Sequence, residues 1–126
     1  MVKTATGITT PNSIVTYNVN IINTGDGNAL AVILTNQLGS FLDMELVESG
    51  GSWTALHSLT VPYTLATESF DSGNNLFDYD PVSFCGAATP ANSPCYDPSI
   101  EQWQIQLNEP IPPAGSLDQK YRARIE

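Results

Sequence analysis

Apolar and polar residues alternate along most of this chain with the two-residue period of a strand that buries one face. Between positions 14 and 22, Val15, Tyr17, Val19 and Ile21 fall on one side, with Thr16, Asn18 and Asn20 on the other. The run stops at Asn23-Thr24-Gly25-Asp26-Gly27-Asn28, residues that tolerate positive φ or bond their own backbone, which predicts a turn. A second strand is expected over 29–35. Its Leu30, Val32 and Leu34 share a face, and Ala31 and Ile33 on the other imply cover on both sides. Further strands are expected over 42–48, 58–67, 101–108 and 119–125, each bounded by Gly, Pro, Ser or Asn. In the last two, Trp103, Ile105 and Leu107 alternate with glutamines, and Tyr121, Ala123 and Ile125 alternate with Arg122 and Arg124. The intervening Pro112-Pro113-Ala114-Gly115 makes them read as a closing β-hairpin.

No window sustains a 3.6-residue period with caps, so helix should be minor. Many short strands with regular turns predict an all-β sandwich or barrel. At 126 residues the expectation is a single domain, positions 1–126, with the immunoglobulin-like Greek-key β-sandwich of about seven strands as its architecture. Trp103, inside an alternating strand, is the expected central buried aromatic.

Charge changes the picture of partners. Only 13% of residues are charged, against about 25% in an average domain, and 13 acids face 4 bases for a net charge of −9. Lys120, Arg122 and Arg124 crowd near one end, so the rest is an acidic body that repels phosphate backbones and anionic lipid. Neither nucleic acid nor a membrane surface is expected as a partner. No stretch has the ~20 apolar residues of a membrane span, and no signal peptide is visible, so an exported chain would be a domain of a larger protein.

Cys85 and Cys95 enclose a Gly-, Pro- and Asn-containing segment expected to be an irregular loop. Their spacing suits neither a thioredoxin-like CxxC nor, with one histidine in the chain, a four-ligand zinc site. A disulfide is the leading reading and two free thiols the alternative. A disulfide places the chain in an oxidising, extracellular or cell-surface setting.

The phrase IVTYNVNIINTGDGNALAVILTNQL resembles the bacterial and archaeal surface-repeat family called domain of unknown function eleven, in which a valine-threonine-tyrosine strand leads into an asparagine-threonine-glycine turn. VKTATG is similar to that family's opening strand, and IPPAGSLDQKYRARIE to its final turn and strand. The resemblance covers about half of the chain and implies an immunoglobulin-like fold, tandem extracellular copies and no catalytic residues. Gly39 departs from a frequent proline of the pattern. The stretch 53–100 is longer than the pattern and is expected to be a variable insertion carrying the disulfide loop and any particular activity.

Several groups of residues within and around that insertion are candidates for chemistry. Asp71, Asn74, Asn75, Asp78 and Asp80 supply oxygen ligands of the type calcium takes, without the EF-hand order; a solvated loop is the plainer reading. Trp53, Tyr79 and Tyr96, among the aromatics concentrated there, are candidates for a ligand-stacking patch, with core packing as the alternative. His57, the sole histidine, would be the only imidazole base for hydrolysis, yet no nucleophile elbow or acid–base motif accompanies it. Lys3 near the first strand and Asp118 or Asn108 near the last invite the idea of an isopeptide bond, which requires the amine and carboxyl in one apolar pocket.

The expected function is therefore a non-catalytic structural or adhesive module of a surface protein or filament, needing no cofactor, with neighbouring domains or subunits as partners. The alternative is a module that binds a glycan, a host or matrix protein, or calcium through 53–100.

Overall fold

The computed structural model describes residues 2–7, 10–86 and 94–126. Among the described residues, ten strands and one turn of helix follow in the order β1 (Val2–Thr6), β2 (Ile14–Ile22), β3 (Ile33–Gln37), β4 (Leu42–Ser49), β5 (Ser52–Thr54), β6 (Ser58–Leu59), β7 (Leu65–Asp71), α1 (Val82–Cys85), β8 (Cys95–Asp97), β9 (Gln102–Leu107) and β10 (Ser116–Ile125). They form two sheets. The larger runs β1-β2-β10-β4-β5, with β6 also pairing with β10 and β8 with β4; the smaller runs β3-β9-β7. No helix among the described residues is long and apolar enough to cross a membrane.

The long alternating runs behave as their pattern requires. β2 and β10 pair antiparallel over nine positions, from Ser116 opposite Ile22 to Arg124 opposite Ile14. Partners in such a ladder share a face, so Val19 with Gln119 and Tyr17 with Tyr121 point inward together. β9 supplies the facing layer with Trp103, Ile105 and Leu107, all buried. Trp103 meets Tyr121 edge-on at 5.1 Å between ring centres, and Tyr121 stacks on Tyr17 at 5.0 Å. Met44, Leu46, Ile111 and Leu117 complete the same cluster. A polar link also crosses between the sheets, where buried Asn36 donates to the side-chain oxygen of buried Gln119 at 3.1 Å.

Three expectations need correction. The closing hairpin does not form, because β9 and β10 lie in different sheets and meet face to face across the core. The connection holds Pro110, Pro112 and Pro113, which lack the amide a ladder uses, and Ile111 instead bridges to Ala29 and plugs the interior. The strand expected over 29–35 is displaced to Ile33–Gln37, since Ala31 adopts φ 49° and leaves Leu30 exposed. The strand expected over 58–67 is split into β6 and the start of β7 by a turn at the cis Val61–Pro62 bond.

Candidate functional site

Short strands and turns, rather than one long strand, hold the side chains of the candidate site. β5 folds back on β4 with Trp53 opposite Glu48, placing the indole at the margin of the core. β7 carries Glu68 and Phe70, and an isolated bridge from Phe70 to Tyr79 brings the following loop back alongside it. The result is a groove of about 420 Å³ bordered by Trp53, Glu68, Phe70, Phe77, Asp78 and Tyr79. Trp53 and Tyr79, two of the three aromatic candidates, thus come together, and Phe70 and Phe77 join them.

The third candidate, Tyr96, does not join them. It pairs with Glu45 on the outer face of the larger sheet, donates to the Glu45 carboxylate at 3.3 Å, and lies under the Arg124 guanidinium at 4.4 Å. Arg124 also pairs with Asp43 at 3.2 Å and Arg122 with Glu45 at 3.6 Å, so this face is a ladder of opposite charges.

Asp71 explains the shape of the loop behind the groove. It is fully buried, and its Oδ1 accepts the amides of Gly73, Asn74 and Asn75 at 2.9, 2.9 and 2.8 Å. Its Oδ2 accepts the Gln102 amide at 2.9 Å. Burial alone would raise the carboxyl pKa, but these hydrogen bonds outweigh it and hold the group below its ordinary value. Asn75 accepts from the same Gln102 nitrogen, Asn74 donates to Asp78 at 3.2 Å, and Asp80 accepts the Val82 amide at the start of α1. The five residues expected to surround calcium are thereby engaged in hydrogen bonds with loop amides, with Gln102 and with one another. Among the described residues no group of three or more His, Cys, Asp or Glu side chains is placed to hold a metal ion. Asp71 organises N–H donors around one oxygen pair, the reverse of a cation cage.

Cys85 and Cys95 are bonded to each other, with Cα atoms 5.8 Å apart, joining α1 to β8. Positions 87–93 of the loop they close lie outside the described residues. Next to the bridge, buried Asp97 accepts the Tyr79 hydroxyl at 2.8 Å and the Ser99 amide at 2.9 Å, tying the groove wall to β8.

Glu68 is the residue that sequence reasoning missed. Its Oε2 accepts the Trp103 indole N–H at 2.7 Å and the Ala55 amide at 3.0 Å, linking the central tryptophan to the groove. Burial pushes its carboxyl pKa up, against the pull of its hydrogen-bond donors. An acid in the run Leu65-Ala66-Thr67-Glu68-Ser69 carries no local signal of this role.

The remaining candidates are apart. His57 is exposed between β5 and β6, its backbone amide bonded to Lys120. Asn108 braces a turn through Thr64 and Leu65. Lys3 and Asp118 lie on opposite faces of the larger sheet. Lys3 is level with Val19 and turned inward, with its amine 4.8 Å from the Tyr17 ring centre; Asp118 is level with Asn20 and bonded to it. A bond between Lys3 and Asp118 is incompatible with this register.

No family model matches the chain, and neither does any curated protein or solved structure.

Proposed function

We propose that the chain acts as one immunoglobulin-like Greek-key module, a non-catalytic spacer that carries load between neighbouring domains or subunits of a surface protein or filament. The likeness of its β2 phrase and both end segments to the surface-repeat family supports this, as does the Cys85–Cys95 bond, which belongs to an oxidising compartment. The observation that carries the reading is the direction of the terminal strands. β1 and β10 both run antiparallel to β2 and hence parallel to each other, with Val2 level with Asp118 through Asn20. Ile125 is seven positions further along β10. The two ends therefore emerge at opposite poles, roughly 24 Å apart along the strands. Tension between them loads the β1–β2 and β2–β10 ladders in shear, with their bonds sharing the force together. Single-molecule pulling tests this: force through the two ends should unfold the module at markedly higher load than force applied across the strands. Equal forces would reject the spacer reading.

A second reading, adhesion through a bound glycan, is favoured by the groove where half-buried Phe77 and Tyr79 lie beside Glu68, backed by buried Trp53 and Phe70. Aromatic faces stack on sugar rings and carboxylates accept sugar hydroxyls. Trp53 borders the groove and Trp103 reaches it through Glu68, so a change in tryptophan emission on adding neutral oligosaccharides would report occupation of the groove. Emission that stays constant across a panel of them removes this reading.

A further inference from the structure

We infer that the groove bordered by Trp53, Glu68, Phe77 and Tyr79 receives an arginine side chain from a partner protein. The inference takes from the adhesive reading only that the groove holds a ligand, and it names a cation in place of a sugar.

Residues 77–80, Phe-Asp-Tyr-Asp, alternate ring and carboxylate, and all four border the groove together with Glu68. Asp78 and Asp80 are exposed, and each engages one oxygen, Oδ1, within its own loop: Asp78 accepts from Asn74 and Asp80 from the Val82 amide. The rings are fixed more firmly. Tyr79 is held at its hydroxyl by buried Asp97, at 2.8 Å, and along its backbone by the bridge to Phe70. Phe77 stands outside the core cluster, yet it is half-buried and takes φ 51°. Left-handed backbone is costly for a bulky side chain, and no packing in the core offsets it here.

A concave site of rings and carboxylates with no base is complementary to a cation. The chain does not supply that cation to itself. Its lysines and arginines, Lys3, Lys120, Arg122 and Arg124, all lie on β1 and β10, whereas the groove is built from β5, β7 and the loop leading into α1. A second copy is an equally poor donor, because Arg122 and Arg124 are already paired with Glu45 and Asp43 and two bodies of net charge −9 repel each other. The cation therefore belongs to a different chain. The outer face of the larger sheet shows how such a set is completed. There the Arg124 guanidinium lies 4.4 Å from the Tyr96 ring centre and pairs with Asp43 at 3.2 Å, while Glu45 accepts the hydroxyl of the same tyrosine. Tyr79 with Asp78 and Asp80 presents the same ring and carboxylates to a ligand. Arginine suits them better than lysine, because a planar guanidinium stacks on a ring while forking to carboxylates at its edge.

The test follows the backbone amide resonances of the isotope-labelled chain on adding a capped glycine-arginine-glycine peptide or its citrulline counterpart, which keeps the shape and loses the charge. The arginine peptide should move resonances within 51–53, 68–70 and 77–82, bind on the order of tenfold more tightly than the citrulline peptide, and weaken as salt is added. Asp78→Asn with Asp80→Asn keeps an oxygen for each loop bond and should abolish the preference for charge. Should that double variant fail to fold, Phe77→Leu gives a second readout and should weaken binding of the arginine peptide. Equal binding of the two peptides would overturn the proposal, as would shifts scattered over the acidic surface or no shifts at all. A response to neutral oligosaccharides without one to the arginine peptide would also overturn it, while leaving the adhesive reading of the groove in place.

Discussion

The β2–β10 ladder and the stretch from β5 to β8 are held by different physics. In the ladder, side chains from two strands alternate over nine paired positions and press Tyr17, Val19, Leu117 and Tyr121 against Trp103. Its stability comes from apolar area removed from water, a non-directional effect that tolerates small shifts. Between β5 and β8 the strands are short, and the chain is tied by directed contacts: the Asp71 carboxylate, Tyr79 on Asp97, Glu68 on Trp103, and the disulfide. A core of the first kind forms one cooperative body. A region of the second kind can lose one tie and rearrange locally.

Truncating the centre of the first region should have the largest effect. Trp103→Ala removes the fully buried indole that packs on Tyr121 and is expected to cost about 3–5 kcal/mol. Denaturant unfolding should show this as a lower midpoint for the whole chain. Phe84→Ala, on a ring left exposed in α1, should leave that midpoint within about 0.5 kcal/mol. A comparable loss from both would end the distinction between the regions. Cys85→Ala with Cys95→Ala comes next, at about 2–3 kcal/mol for a loop of this span. Here the emission of Trp103 in the folded state should stay unchanged, because the bridge joins α1 to β8 and not to β9.

The same contrast decides what was legible in the residues. β2 and the inward row of β9 follow from alternation, since burial on one face repeats every second position. Alternation assigns a face and leaves the neighbour open, so the strands of Trp103 and Tyr121 read as a hairpin although they meet across the core. Single backbone events, Ala31 at positive φ and the turn at Val61-Pro62, moved or split strands without disturbing the local hydrophobic pattern. Asp71-Ser72-Gly73-Asn74-Asn75 is ambiguous in principle, because one string of oxygen-bearing residues serves a cation or a turn, and only the direction of its N–H groups decides. Glu68 depends on Trp103, 35 positions away, a relation that no local window contains.

The Asp71 turn is expected to rank third in effect. Asp71→Asn keeps one acceptor oxygen for the three loop amides but turns its carboxamide N–H2 toward the Gln102 nitrogen, donor against donor. The folded-state pKa of Asp71 lies below its unfolded value. Its stabilisation is therefore complete above the ordinary carboxylate range and disappears as pH falls through the lowered folded value. The gap between the parent chain and Asp71→Asn should be widest at neutral pH and close below about pH 4. A gap independent of pH would mean that Asp71 acts through packing alone.

Glu68 supplies the smallest effect and the opposite sign. Burial raises its folded-state pKa above the unfolded value, so its favourable contribution is complete below the ordinary glutamate range and is lost as pH rises through the raised value. At neutral pH the ionised group is a burden that its bonds to Trp103 and Ala55 offset only in part. Both donors share one carboxylate oxygen, so Glu68→Gln retains an acceptor for them without the charge. It should match or exceed the parent in unfolding midpoint at pH 7, and this advantage should vanish in mild acid. A variant less stable than the parent at pH 7 would show that the charged hydrogen bonds outweigh desolvation. If the variant gains stability but loses an oligosaccharide response seen in the parent, the strain at Glu68 belongs to the groove's ligand. If stability rises with no such response in either chain, Glu68 serves to hold the indole of Trp103 and takes no part in binding sugar.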